Sequence, residues 1–200
     1  MKAIINGKII LKDRILKDCA VLFSDVIENI IPKNEVPEGI EIIDANGGYV
    51  CPGFIDLHIH GYLGKDVCDG EEESIKTIAA GLVANGVTGF LPTTMTVDMA
   101  VIKKALEVCR KLKKESGSWK GSQILGCHAE GPFINENKKG AQDPKYILKP
   151  DAEFVREYSD IIKIITLAPE TDTDDFAAIK EICRDTDVVV SMGHTCADYD

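Results

Sequence analysis

The chain has 200 residues, 44% of them hydrophobic and 28% charged, enough apolar material for a buried core and unlike a disordered or fibrous sequence. Its formal net charge of -10 comes with no basic stripe beyond one lysine-rich helix face, which argues against nucleic acid as a partner. No apolar run reaches the roughly 18 residues of a membrane span, and "MKAIINGKIILKDRILKD" at the amino terminus lacks the apolar region of a signal peptide, so the expectation is a cytoplasmic protein without a membrane partner.

Residues 1–50 read as a small β piece. "AIINGKIIL" has the form of a hairpin, two apolar runs about an Asn-Gly turn, and further short apolar runs lead to "GIEIIDANGGYV". From residue 51 to 200 strands and helices alternate, the pattern of a parallel sheet with crossover helices. The expected strands are "YVCPGFIDLHIH", "GVTGFLPTT", "SQILGCHAEGPF", "IIKIITLAPE" and "DVVVSMGHT". The last carries an unbroken β-branched run, the signature of a strand buried on both faces.

Between the first two strands, "EEESIKTIAAGLVANG" sets Ile75, Ile78, Ala79, Leu82 and Val83 on one helical face, with acids at its start and Gly86 after its end. Asp98 can cap the next helix, in which Ile102, Ala105, Leu106 and Cys109 share a face. Asp151 and Asp174 are placed to open two more. Seven cysteines without a C-x-x-C pair read as reduced thiols, mostly buried.

Two architectures fit alternating strands and helices, an open doubly wound sheet and a closed (β/α)₈ barrel. Five β-α steps are visible, the fifth without its helix, at roughly 30 residues each, whereas a whole barrel takes about 250. A doubly wound nucleotide-binding sheet calls for a glycine-rich turn after its first strand, and "HIHGYLGKD" is not G-x-G-x-x-G. The expectation is therefore a barrel of which the first five strands are present.

The chain has four histidines, His58, His60, His128 and His194, and each falls at the carboxyl end of an expected strand, where parallel-sheet enzymes place their chemistry. Side chains at i and i+2 share a face, so His58 and His60 point together, either as ligands of one metal or as a hydrogen-bonded pair in a polar core. The same spacing sets His128 beside Glu130, ahead of the Gly131-Pro132 turn; Glu130 reads as a ligand or as a solvated loop carboxylate. His194, in "SMGHT", faces the others across a barrel or stands alone in a loop. Cys127 alternates away from His128 and Glu130, and neither it nor Cys196 enters the ligand set. Imidazoles with a carboxylate suit zinc or iron(II), with an open position for a water whose pKa falls to about 7, and hydrolysis is the natural reaction. No G-x-S-x-G elbow or phosphate-binding P-loop competes, and no cysteine has a base beside it in sequence.

"PGFIDLHIHG", "GVTGFLPTT", "HAEGPFINENKKGAQDP", "ITLAPE" and "SMGHT", in this order, resemble the amidohydrolase superfamily and, within it, the N-acetylglucosamine-6-phosphate deacetylase family. The match runs from the first strands to the last residue. The resemblance implies a metal-dependent amidohydrolase-type (β/α)₈ barrel preceded by part of a small β-sandwich domain, and hydrolysis of the acetamide of N-acetylglucosamine 6-phosphate. It also implies that Glu130 and His194 are metal ligands, Glu130 with a part in activating water, and that His58 and His60 complete a second metal position. Ala141 and Gln142 would contact the phosphorylated amino sugar, Gln142 standing where many relatives have histidine. The family's remaining strands, with another metal histidine, the phosphate-binding residues and the general acid/base aspartate, would lie beyond residue 200. The chain is then an amino-terminal portion, stopping at Asp200 where a helix should start, expected to be inactive alone and homodimeric when full length.

Two other readings stay open. One is a cyclic-amide hydrolase or deaminase of the same superfamily, with Lys163 as a modified bridging ligand, although its mid-strand position argues against that. The other is a non-catalytic remnant whose open sheet edges are covered by another chain.

Overall fold

The structure, a computed structural model, describes residues 1–198; the helix start expected at Asp200 lies outside the described residues. The chain divides into two compact units, Met1–Pro52 and Gly53–Asp200, a division two residues beyond the expected one.

The first unit contains β1 (Lys2–Ile5), β2 (Lys8–Ile10), β3 (Ile15–Leu16), β4 (Cys19–Phe23), β5 (Ile27–Pro32), β6 (Glu41–Asp44) and β7 (Tyr49–Val50). They form a four-stranded sheet in the order β5-β4-β1-β6 and a three-stranded sheet in the order β3-β2-β7. The hairpin expected at "AIINGKIIL" is absent. β1 already has β4 antiparallel on one side and β6 parallel on the other, so β2 has no edge of β1 to join and pairs with β3 and β7. Asn6, at φ 57°, turns the chain from one sheet into the other, and Gly7 follows because a Cβ there would overlap Val50.

The second unit runs β8 (Phe54–Ile59), β9 (Gly61–Tyr62), β10 (Lys65–Asp66), α1 (Glu72–Leu82), β11 (Val87–Thr94), α2 (Met99–Ser116), β12 (Gln123–Ile124), β13 (Cys127–Glu130), α3 (Ala152–Glu157), β14 (Ile162–Leu167), α4 (Ala177–Asp185) and β15 (Val189–Met192). β9 and β10 form a small antiparallel hairpin. The main sheet is parallel throughout and its strands stand in chain order, β8-β11-β13-β14-β15, with β12 beside the first half of β11. A doubly wound sheet reverses its strand order at a switch point, and a barrel wall does not. The unit is thus five strands of a (β/α)₈-type barrel wall, with four helices between them.

Alternation along the strands sorts the two faces. On β13, Cys127 and Ala129 enter the core that also holds Ile75, Ile78, Ile102 and Leu106 of the helices, while His128 and Glu130 point to the opposite side. Asp98 caps α2 through its carboxylate, 2.8 Å from the Ala100 amide, and Asp151 caps α3.

Several expectations need correction. Val83 is exposed, because α1 ends at Leu82 and the next turn is a 3₁₀ helix. Asp174 does not cap α4 with its side chain; Asp172 reaches the Ile179 amide instead, and Phe176 enters the helix at φ 58°. β15 is not buried on both faces: Val189 is 61% and Met192 72% exposed, because among the described residues β15 pairs only with β14. At the other edge Phe54 of β8 is 62% exposed for the same reason. The seven cysteines are all free, yet only Cys109 and Cys127 are buried; Cys51 and Cys196 lie outside regular elements, and Cys183 lies on the solvent side of α4. Among the described residues no helix is long and apolar enough to cross a membrane.

Candidate metal centre

The carboxyl ends of β8, β13 and β15 bring four side chains to one place. On β8 the His58 amide donates to Asp56 Oδ1 (3.0 Å) and the Ile59 amide to Thr93 Oγ1 of β11 (3.0 Å), which ties the end of β8 to its neighbour. His58 and His60 then lie on one face with their Nε2 atoms 3.1 Å apart. Glu130 ends β13 and is only 6% exposed; the amide after it, Gly131, donates to Thr166 O of β14. His194 follows β15 in the left-handed region at φ 50°, after Gly193 has donated to Leu167 O. All three imidazoles meet the one carboxylate: His58 Nε2 is 3.3 Å from Glu130 Oε1, His60 Nε2 3.1 Å from Oε2, and His194 Nε2 3.1 Å from Oε1.

The hydrogen-bond partners decide which ring nitrogens face inward. A carbonyl oxygen only accepts, so Nδ1 of His60, 3.2 Å from Thr93 O, and Nδ1 of His194, 2.8 Å from Lys138 O, carry hydrogens. In the neutral ring Nε2 is then a lone pair, and two such lone pairs aimed at a carboxylate repel it unless a cation lies among them. Protons on the imidazoles meet that need, and so does a metal ion. Burial acts to raise the Glu130 pKa, but hydrogen bonds from His60 and His194 and the charges of His60 and His58 outweigh it and bring it down to about 2. The hydrogen bond to Glu130 correspondingly raises His60, against the opposing effect of burial.

The spacing fits an ion. Nitrogen and oxygen ligands roughly 2.0–2.1 Å from a tetrahedral zinc lie about 3.3 Å from one another, close to the 3.1–3.3 Å separations seen here. His58, His60 and Glu130 form a group that could hold a metal, and backbone carbonyls behind His60 and His194 orient their rings as carbonyls behind metal-binding histidines do.

Not every chemistry-bearing residue faces the centre directly. His128 is buried one step below: Nδ1 donates to Leu57 O (2.9 Å), so Nε2 accepts from the Thr166 hydroxyl (2.7 Å), and its ring packs edge-on against His58 at 4.7 Å. Burial lowers its pKa and keeps it neutral there. Gln142 is buried at the centre, its Oε1 accepting from the Thr96 amide (2.6 Å) and its Nε2 lying 3.4 Å from both Glu130 Oε2 and His194 Nε2. Ala141 beside it is exposed. Lys163 lies three residues before Thr166 on β14, about 10 Å along a strand, which places it well below the imidazoles. Sequence reasoning passed over Thr93 and Thr166; the only signal was a polar residue near a strand end, as in "LPTT" and "TLAPE".

Known proteins resemble this chain over most of its length. The N-acetylglucosamine-6-phosphate deacetylase of Bacillus subtilis (strain 168) is 37% identical over 167 residues, covering 81% of this chain and 42% of that protein. The Haemophilus influenzae protein of the same name is 35% identical over 206 aligned positions, covering 99% and 51%. The crystal structure of N-acetylglucosamine-6-phosphate deacetylase from Pasteurella multocida superposes with a TM-score of 0.87 at 30% identity, over 100% of this chain and 52% of that one. The chain spans about half the length of the curated relatives it matches. The amidohydrolase family matches residues 49–200, from β7 through the whole centre, and the chain belongs to that family.

Proposed function

We propose that this chain is the metal-binding, amino-terminal portion of an enzyme that hydrolyses the acetamide of N-acetylglucosamine 6-phosphate to glucosamine 6-phosphate and acetate. The observation that carries the reading is the convergence of three imidazole Nε2 atoms on the buried Glu130 carboxylate at 3.1–3.3 Å. The relatives supply the substrate class, since proteins carrying that activity in their names match nearly the whole chain.

His58, His60, Glu130 and His194 would hold one or two divalent ions, zinc or iron(II). When bound, such an ion polarises an amide carbonyl and brings the pKa of water toward about 7. Glu130, itself buried, supplies the negative charge that balances the cation. Gln142, pinned by the Thr96 amide, presents its NH2 at the edge of the site, and with Ala141 forms the part of the 131–150 loop that meets the sugar. In the reaction a water oxygen bonds to the acetyl carbon and the C–N bond breaks. The leaving nitrogen takes a proton from a general acid/base aspartate, which on this reading lies beyond residue 200.

The cyclic-amide alternative loses ground because Lys163 lies away from the imidazoles. The seven free thiols suit a reducing cytoplasm. A homodimer of the full-length protein completes the reading. The test is acetate release from N-acetylglucosamine 6-phosphate by metal-loaded protein expressed from the complete reading frame containing this chain. Turnover is expected there and not with residues 1–200 alone; metal-replete full-length protein that releases no acetate overturns the proposal.

A further inference from the structure

Glu170 takes no part in the centre described above, yet its carboxylate is the meeting point of three loops. It lies in the 3₁₀ turn Pro169–Thr171 that follows β14. Its Oε1 accepts from Asn135 Nδ2 (2.8 Å), in the loop after β13, and from the Cys196 amide (2.6 Å), in the loop after β15, while its Oε2 accepts from the Thr195 hydroxyl. Those partners lead straight to His194. The Asn135 amide donates to the His194 carbonyl (2.9 Å), and Asn135 Oδ1 caps the turn whose Lys138 carbonyl receives the His194 Nδ1 hydrogen. Thr195, bonded to Glu170, is the next residue in the chain.

We propose that Glu170 is a positioning residue for His194, setting the reach of its Nε2 toward Glu130 by clamping the loops after β13 and β15 to the end of β14. The inference rests on the reading of His194 as a metal ligand. The need for a clamp is visible in the backbone: His194 holds a left-handed φ of 50°, a conformation that a residue with a Cβ keeps only when its surroundings hold it there. A carboxylate suits the task because it offers acceptors only, on two oxygens, to the three donors that converge on it. Nothing else among the described contacts joins all three loops through one side chain.

The test measures zinc affinity by competition with a chelator, the imidazole NMR signals of His194, and the thermal midpoint without metal. Wild type is compared with Glu170→Ala, Glu170→Gln, Thr195→Val and His194→Ala. Glu170→Ala is expected to weaken zinc binding about 10- to 100-fold, the range for groups that orient metal ligands, and to shift the His194 signals. Glu170→Gln is expected to recover most of that loss. Its carbonyl still accepts from Asn135 and Cys196, and the Thr195 hydroxyl can turn to accept the amide. Thr195→Val, which removes one donor, should give a smaller loss in the same direction.

Wild-type zinc affinity and unmoved His194 signals in Glu170→Ala, with zinc lost in His194→Ala, overturn the proposal; a lowered thermal midpoint alone then marks Glu170 as a loop staple. Wild-type affinity in His194→Ala overturns the ligand reading itself, and the proposal with it. If Glu170→Ala does not fold, Thr195→Val decides by the same criteria.

Discussion

Glu130 carries the centre because a single buried carboxylate faces three imidazoles at hydrogen-bond distance. Glu130→Gln keeps its shape and removes its charge. Bound zinc, measured by elemental analysis after dialysis, is expected to fall by more than the roughly 10- to 100-fold seen when groups behind a ligand are changed. The residue after it is constrained for another reason: Gly131 has φ 76°, and a Cβ there would overlap Thr96 Oγ1. Gly131→Ala should cost about 2–4 kcal/mol in urea unfolding, from left-handed strain and overpacking together. At this scale the ligand candidates were legible because histidine is scarce here and every copy falls toward the end of an expected strand. The supporting groups were not legible. Thr93 and Thr166 are ordinary residues whose importance comes from what lies opposite them on another strand.

Between elements, α2 is tied to the turn before β14 by Arg110, whose Nε and NH2 groups lie 2.9 and 2.7 Å from the Asp160 carboxylate and whose guanidinium covers the Tyr158 ring at 4.7 Å. The hydrogen bond from Arg110, opposed by burial, holds the Asp160 pKa below its ordinary 3.8. A carboxyl lowered in the folded state contributes stability that is present above its unfolded pKa and lost as pH falls through the folded one. Asp160→Asn should therefore cost about 0.5 kcal/mol at pH 7, small because the group is well exposed. The difference from wild type should close as the pH of chemical denaturation is taken below 3.8. The caps obey the same local logic: Asp98→Ala should destabilise by about 1 kcal/mol, since the Ala100 amide at the head of α2 loses its acceptor. Helices α1 and α2 were readable from their apolar spacing, which depends on the chain's own period. The Asn-Gly hairpin was misread, because the signal marks a turn and does not say which sheet the next strand joins.

For the molecule as a whole, the parallel sheet ends at two edges with apolar side chains in the open, Phe54 and Ile55 on β8 and Val189 and Met192 on β15. Unpaired edges with apolar neighbours promote association. Residues 1–200 expressed alone are expected to self-associate at micromolar concentration, seen by light scattering. Val189→Lys, which places a charge on the β15 edge, should reduce the associated fraction severalfold. A wild-type chain that stays monodisperse and monomeric would show that these edges need no cover.

The order of strands and helices, the core faces of α1 and α2, and the three imidazoles that gather at Glu130 were determined by the sequence itself. Periodicity, caps and residue type are properties of neighbouring positions and are written along the chain. The tertiary structure alone decided that β1 and β2 part into separate sheets, that β15 is an exposed edge, and that His128 supports His58 from below while Gln142 enters the centre. Each of these depends on which residue faces which across a gap of tens of positions, and that distance is set only when the strands have taken their places.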